Sequence, residues 1–183
     1  MTARLNHTLV AARDRDASAL FLSEMLGLPA PLELGPFAVV PVGDRLTLDF
    51  VERKGDVVSQ HYAFLVDETE FDEIFDRIRE RNLQYWADPF RREPNSINHW
   101  DDGRGVYFED PNGHLLEIIT RPYGSAGTEA EHPHPLIASK IEAKTDAEKH
   151  RGTTPELRND ENRGAHPPGA ERRPWVIRPN AVD

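Results

Sequence analysis

The chain has 183 residues, a formal net charge of −10 and no cysteine. That length suits one folded unit or two small repeated modules, and the lack of thiols excludes disulfides, thiolate metal sites and a cysteine nucleophile. So acidic a chain lacks the cationic surface that neutralises a phosphate backbone, so nucleic acid is not an expected partner.

The N-terminus carries no basic stretch followed by an apolar run, and nowhere do about eighteen apolar residues run together. A soluble cytoplasmic protein with no membrane partner is expected. Leu5–Ala12 is rich in strand formers. Asp14 then suits the N-cap of a helix over Arg15–Leu26, with Ala17, Leu20, Phe21 and Met25 on its apolar face and Gly27 as its stop. Two extended runs follow, Phe37–Val42 and Arg45–Val51, split by a Gly43-Asp44 turn that suits a hairpin.

After the short polar connection Glu52–Gln60 the pattern starts again. His61–Val66 reads as a strand, and Glu70–Arg81 reads as a helix because Phe71, Ile74, Phe75 and Ile78 fall at helical spacing. Gly105–Glu109 and His114–Thr120 read as strands joined by the turn Asp110-Pro111-Asn112-Gly113. Internal duplication is the simplest account. The expected fold is α+β: two βαβββ modules, about 1–55 and 56–123, whose curled mixed sheets surround a metal-binding cavity.

Composition changes near Tyr123-Gly124. Residues 124–183 contain seven prolines and mixed charge, which predicts a mostly disordered tail that cannot offset its ordering entropy. Within it, Leu136–Lys149 suits a short helix and Trp175-Val176-Ile177 is the apolar cluster able to dock. His132-Pro133-His134-Pro135 reads as a solvated spacer. Asp101-Asp102 lacks calcium-loop spacing and reads as a solvated loop, and Gly103-Arg104-Gly105 has no following helix to cradle a phosphate.

Each half opens on a strand with a histidine near its start, His7 and His61. In the last strand, alternation places Leu115, Glu117 and Ile119 on one face, and a carboxylate between apolar neighbours needs a partner. His7, His61 and Glu117 are therefore the candidate metal ligands. Two imidazoles and a carboxylate leave coordination positions open, the arrangement that serves iron(II) oxygen chemistry and Lewis-acid catalysis on a bidentate substrate. Asp49, Tyr62 and His99 are candidate general bases, and His99 suits best because imidazole titrates near neutrality. Asp49 alternates with Leu48 and Phe50, so either side of its sheet remains open to it.

The segments LNHTLVAARDRDASALFLSEMLGL, HYAFLV and GRGVYFEDPNGHLLEI resemble the vicinal oxygen chelate superfamily, which includes glyoxalases, bleomycin-resistance proteins and extradiol dioxygenases. LNHTLVAARD, GPFAVV, LTLDF, QHYAFLV, YWADP, INH and LLEIITRPYG are more narrowly similar to the subgroup that contains the chartreusin-biosynthesis ring-rearranging dioxygenase. The resemblance carries the ligand roles to His7, His61 and Glu117. It also implies a divalent metal, iron(II) foremost, with zinc, manganese and nickel as alternatives. An aromatic or catechol-like small-molecule substrate would chelate that metal through adjacent oxygens. Extradiol dioxygenases carry a tyrosine ten residues before the ligand glutamate, which points to Tyr107 as a hydrogen-bond donor to substrate. A homodimer is implied too, with His7 from one subunit and His61 and Glu117 from the other.

An oxygenase is thus the first expectation. A glyoxalase-type isomerase or lyase needs a further carboxylate, for which Asp49 is the candidate. A fosfomycin-resistance-like transferase departs at Leu9, where threonine is expected, and at DDGRG, which replaces the cation loop. A non-enzymatic drug-binding protein needs no metal triad.

Overall fold

Asp14 caps the first helix as its position predicts: its side chain accepts the Ala17 N–H at 2.9 Å, and Gly27 closes the last turn with a left-handed φ of 67°. In the computed structural model, which describes residues 3–135, this helix α1 (Arg15–Leu26) follows strand β1 (His7–Ala12). The strands β2 (Leu32–Leu34), β3 (Phe37–Val42) and β4 (Leu46–Glu52) complete the first module. The second repeats the order with β5 (His61–Leu65), α2 (Glu68–Glu80), β6 (Tyr85–Trp86), β7 (Gly105–Glu109) and β8 (Leu115–Ile119). Helix α2 starts two residues earlier than its apolar spacing suggests, because Asp67 and Glu70 form a reciprocal capping box.

Each module forms one four-stranded sheet, in the orders β1-β4-β3-β2 and β5-β8-β7-β6. In both, the first strand pairs parallel with the last and the others pair antiparallel. The sheets are open rather than closed, and the expected pair of βαβββ modules is present. The short strands β2 and β6 have three and two residues, too few for alternation to mark them in the sequence.

Alternation divides each sheet into two faces. Val10, Ala12, Ala38, Val40, Leu48 and Phe50 of the first sheet share one core with Val106, Phe108, Leu116 and Ile118 of the second. Both helices pack into that core. Phe71, Ile74 and Ile78 of α2 are buried as expected, whereas α1 turns differently from its predicted face: Ser18, Ala19, Leu22 and Met25 are buried, while Ala17 and Leu20 are exposed. The reason lies in the second module, whose Asn112 amide donates to the Ser18 hydroxyl at 2.8 Å and draws the small residues inward.

The Asp110–His114 turn ties the modules together. The Asp110 carboxylate accepts the N–H groups of Asn112 and His114, both at 2.8 Å, and the Asn112 side-chain carbonyl accepts the Arg13 N–H at 2.9 Å. His114 is buried and bridges two strands: its Nδ1 accepts the Gln60 N–H at 3.0 Å and its Nε2–H donates to the Ala11 carbonyl at 2.8 Å. The sequence block with the strongest family resemblance is therefore structural at these positions.

The tail expectation splits. Residues 136–183, including the proposed helix and the Trp175 cluster, lie outside the described residues. Residues 124–135 pack on the second module instead of leaving it, because Asp101 and Asp102 supply the hydrogen-bond partners that proline-rich backbone needs. The Asp101 N–H donates to the His132 carbonyl at 2.7 Å, and the Asp102 carboxylate accepts the N–H groups of Glu131 at 3.2 Å and His132 at 2.9 Å.

Candidate metal centre

On the face of the second sheet turned away from the shared core, β5, β8 and β7 place His61, Glu117 and Tyr107 side by side. Their registers pair His61 with Leu115 and Tyr107 with Glu117, so the same parity of all three strands lines this face. Glu117 is fully buried, whereas the His61 side chain is 46% exposed. The His61 Nε2 lies 3.1 Å from Glu117 Oε2.

The other nitrogen of His61 defines that contact. Nδ1 lies 3.1 Å from the Leu115 carbonyl, which only accepts, so Nδ1 carries a hydrogen. A neutral His61 then presents its Nε2 lone pair beside the lone pairs of Glu117 Oε2, and a cation must join them. A proton does so when the imidazole is charged, and the Glu117 hydrogen bond accordingly raises the His61 pKa above its ordinary value against the opposing effect of burial. A divalent metal fits the same place, since metal-binding histidines usually donate their other ring N–H to a backbone carbonyl or carboxylate, as His61 does to Leu115.

Tyr123 completes the cluster. Its hydroxyl donates to Glu117 Oε1 and lies 2.8 Å from the Tyr107 hydroxyl. Burial first, and then the Glu117 carboxylate, push both phenols well above their ordinary pKa range, so both stay protonated. Tyr123 spends its one proton on Glu117, so Tyr107 must donate to Tyr123. The hydrogen expected to reach a substrate from Tyr107 is committed within the protein.

Trp86, Tyr107 and Leu115 form a second apolar cluster on this face, with Trp100 packed on them. The Trp100 ring lies 5.9 Å from that of Tyr123, and the His134 ring is 4.7 Å from Trp100 and 4.2 Å from Tyr123. His134 is buried, which corrects the reading of the His132–Pro135 tract as a spacer. Asp101 corrects another expectation, being 1% exposed rather than solvated. Its Oδ2 accepts the Gly124 N–H at 2.7 Å, while its Oδ1 has no hydrogen-bond partner among the described residues.

His99 is exposed and turned to the Gly103 carbonyl at 3.2 Å, with the His132 ring 6.2 Å away. It is not brought into the cluster, because the buried neighbour Asn98 points inward and directs His99 out. Tyr62 also faces away from His61, edge-on to His114 in the shared core.

His7 lies on the first sheet, exposed, with Nδ1 2.9 Å from the Asn6 side-chain carbonyl. Its Nε2, unlike that of His61, makes no hydrogen bond among the described residues. Within one chain His7 does not meet His61 and Glu117, and among the described residues no three His, Asp or Glu side chains converge on a metal position. The site faces lie on the sides of their sheets opposite the shared core, so the two cannot close on each other within the chain.

The first sheet repeats the site's register. His7 pairs with Thr47 as His61 pairs with Leu115, which makes Asp49 the positional counterpart of Glu117. Asp49 is buried and accepts the Thr47 hydroxyl at 2.7 Å. A groove of about 590 Å³ runs between the modules and reaches His61, with Leu5, Leu46, Ala63 and Leu65 among its lining residues.

Residues 4–118 match the family described as the Glyoxalase/Bleomycin resistance protein/Dioxygenase superfamily. The chain belongs to this superfamily. Its members are mostly enzymes that bind divalent metals and small molecules and commonly form dimers. Within the glyoxalase/dioxygenase superfamily, the solved structure of oxidase ChaP-H2 is 58% identical with a TM-score of 0.68, covering 69% of this chain and 100% of that one. Oxidase ChaP-H1 is 60% identical with a TM-score of 0.67, covering 68% and 100%. Both agree with the narrower subgroup resemblance. The glutathione transferase FosA of Serratia marcescens is 30% identical over 124 residues, 64% of this chain and 81% of that protein. Among the described residues no helix is long and apolar enough to cross a membrane.

Tyr123, Trp100 and His134 were not legible as site residues. Trp100 lies in the loop read as solvated, while Tyr123 and His134 stand at the edge of and within the proline-rich segment read as a tail.

Proposed function

We propose that the protein is a metal-dependent oxygenase acting on an aromatic or catechol-like small molecule that chelates through adjacent oxygens. The 3.1 Å approach of His61 Nε2 to the buried Glu117 Oε2 carries this reading, because it aims an imidazole nitrogen and a carboxylate oxygen at one point where a divalent metal can replace the shared proton. Identity of 58% and 60% to two oxidases over their full lengths supports the oxygenase class.

The ligand set we propose is His61 and Glu117 of one subunit with His7 of a second in a homodimer. All three donors are nitrogen or carboxylate oxygen, the set that suits iron(II), with zinc, manganese and nickel as alternatives. A metal there would supply open positions for two adjacent substrate oxygens and for dioxygen. The chain's own part is to hold Glu117 between the Tyr123 hydroxyl and His61, fix His61 through Leu115 and wall the face with Trp86, Tyr107 and Trp100. Planar aromatic rings suit that wall.

Anaerobic purification without chelator should give one equivalent of iron per chain and oxygen uptake with members of a catechol panel. A folded wild-type protein that takes up no divalent metal would refute the reading.

The Asp49 register favours one second reading. If Asp49 joins the ligands as the counterpart of Glu117, the site becomes that of a glyoxalase-type isomerase or lyase with zinc or nickel. FosA similarity raises a transferase, but Leu9 holds an aliphatic, half-exposed side chain where that chemistry expects threonine.

A further inference from the structure

We infer that Tyr123 is a positioning residue that holds Glu117 by Oε1, so that Oε2 alone is presented beside His61. This rests on the metal reading above and goes beyond its three ligands. A carboxylate offers two oxygens, and left free it can bind a metal through both. Here the oxygens have separate partners: Oε2 faces His61 Nε2 and Oε1 receives the Tyr123 hydroxyl. Tyr107 donates to Tyr123 in turn, at 2.8 Å, which orients the Tyr123 lone pairs and leaves its proton for Glu117.

The chain between Arg121 and Pro135 crosses this face as a strap that sets the Tyr123 hydroxyl in place. Gly124, at a φ of 80°, donates its N–H to Asp101 Oδ2 at 2.7 Å immediately after Tyr123. Asp102 holds the far end through the Glu131 and His132 N–H groups, and the His134 ring lies 4.2 Å from that of Tyr123. Asp101 and Asp102 sit at φ values of 56° and 58°, a left-handed conformation costly for two consecutive non-glycine residues. The strap hydrogen bonds offset that strain, so the loop and the strap specify each other.

Co(II) binding to the full chain tests the role, because its visible d–d absorption reports coordination number and geometry. Tyr123→Phe keeps the ring contacts and removes only the hydroxyl. We expect it to weaken Co(II) affinity by about 10–100-fold, the usual cost of losing an outer-shell partner. The absorption band should also shift as Oε1 becomes free to join the metal, whereas a residue serving stability alone would lower the melting temperature and leave the band in place. Asp102→Asn, which loosens the strap without touching Glu117, should move the band in the same direction by less. Affinity and band coincident with wild type in Tyr123→Phe would overturn the inference while leaving the metal reading intact, provided Glu117→Gln abolishes wild-type binding. If Tyr123→Phe does not fold, Asp102→Asn decides by the same criterion. A wild-type chain that takes up no Co(II) overturns both.

Discussion

Asp49 and Glu117 occupy the same place in two sheets, each two residues beyond the partner of the histidine that opens its module. Their surroundings differ. Glu117 meets an imidazole and a phenol, whereas Asp49 accepts a hydroxyl from Thr47 on its own strand. Asp49 is thus satisfied locally, and Asp49→Asn should leave metal content unchanged. Metal analysis of that variant checks this, and a loss matching that of Glu117→Gln would favour the glyoxalase-type reading.

The strap should respond to acid. Asp102 has its pKa lowered, chiefly by the His132 N–H and further by that of Glu131, with burial opposing. Its contribution to strap docking is therefore complete above the ordinary carboxylate value of 3.8 and is lost as pH falls through the lowered value. Trp100 fluorescence, quenched or shifted by its contact with His134, should change over that range in wild type. Asp102→Asn should lack this transition.

His114 is a structural histidine whose loss should be felt far from any metal. His114→Ala removes a buried ring, opens a cavity and leaves the part-buried Gln60 N–H and Ala11 carbonyl without this partner, at a cost of about 2–4 kcal/mol. Equilibrium urea unfolding measures the cost. Metal bound per folded chain should be unchanged.

Much of the fold was legible because long periodic segments carry their own signal. Asp14 and Gly27 marked α1, and the spacing of Phe71, Ile74 and Ile78 marked α2. The face of α1 was misread because Ser18 is buried by a partner 94 residues away, which no local pattern encodes. At the site, Glu117 was legible from alternation, and His61 from the repeated strand start. Tyr123 and His134 were not, since they reach the site through a proline-rich segment whose order depends on Asp101 and Asp102 in a distant loop. His99 misled for the opposite reason: imidazole chemistry suited the role, but residue parity in the loop turns the side chain outward.

The proposed sharing of a metal site between subunits is tested most directly by metal content in mixed pairs of His7→Ala and Glu117→Ala chains, co-expressed with different tags and purified through both. Sites shared between subunits leave one of the two intact, so each mixed pair should hold one metal ion where the wild-type pair holds two. A mixed pair with none, alongside a fully loaded wild type, would place each site within a single chain and contradict the shared centre.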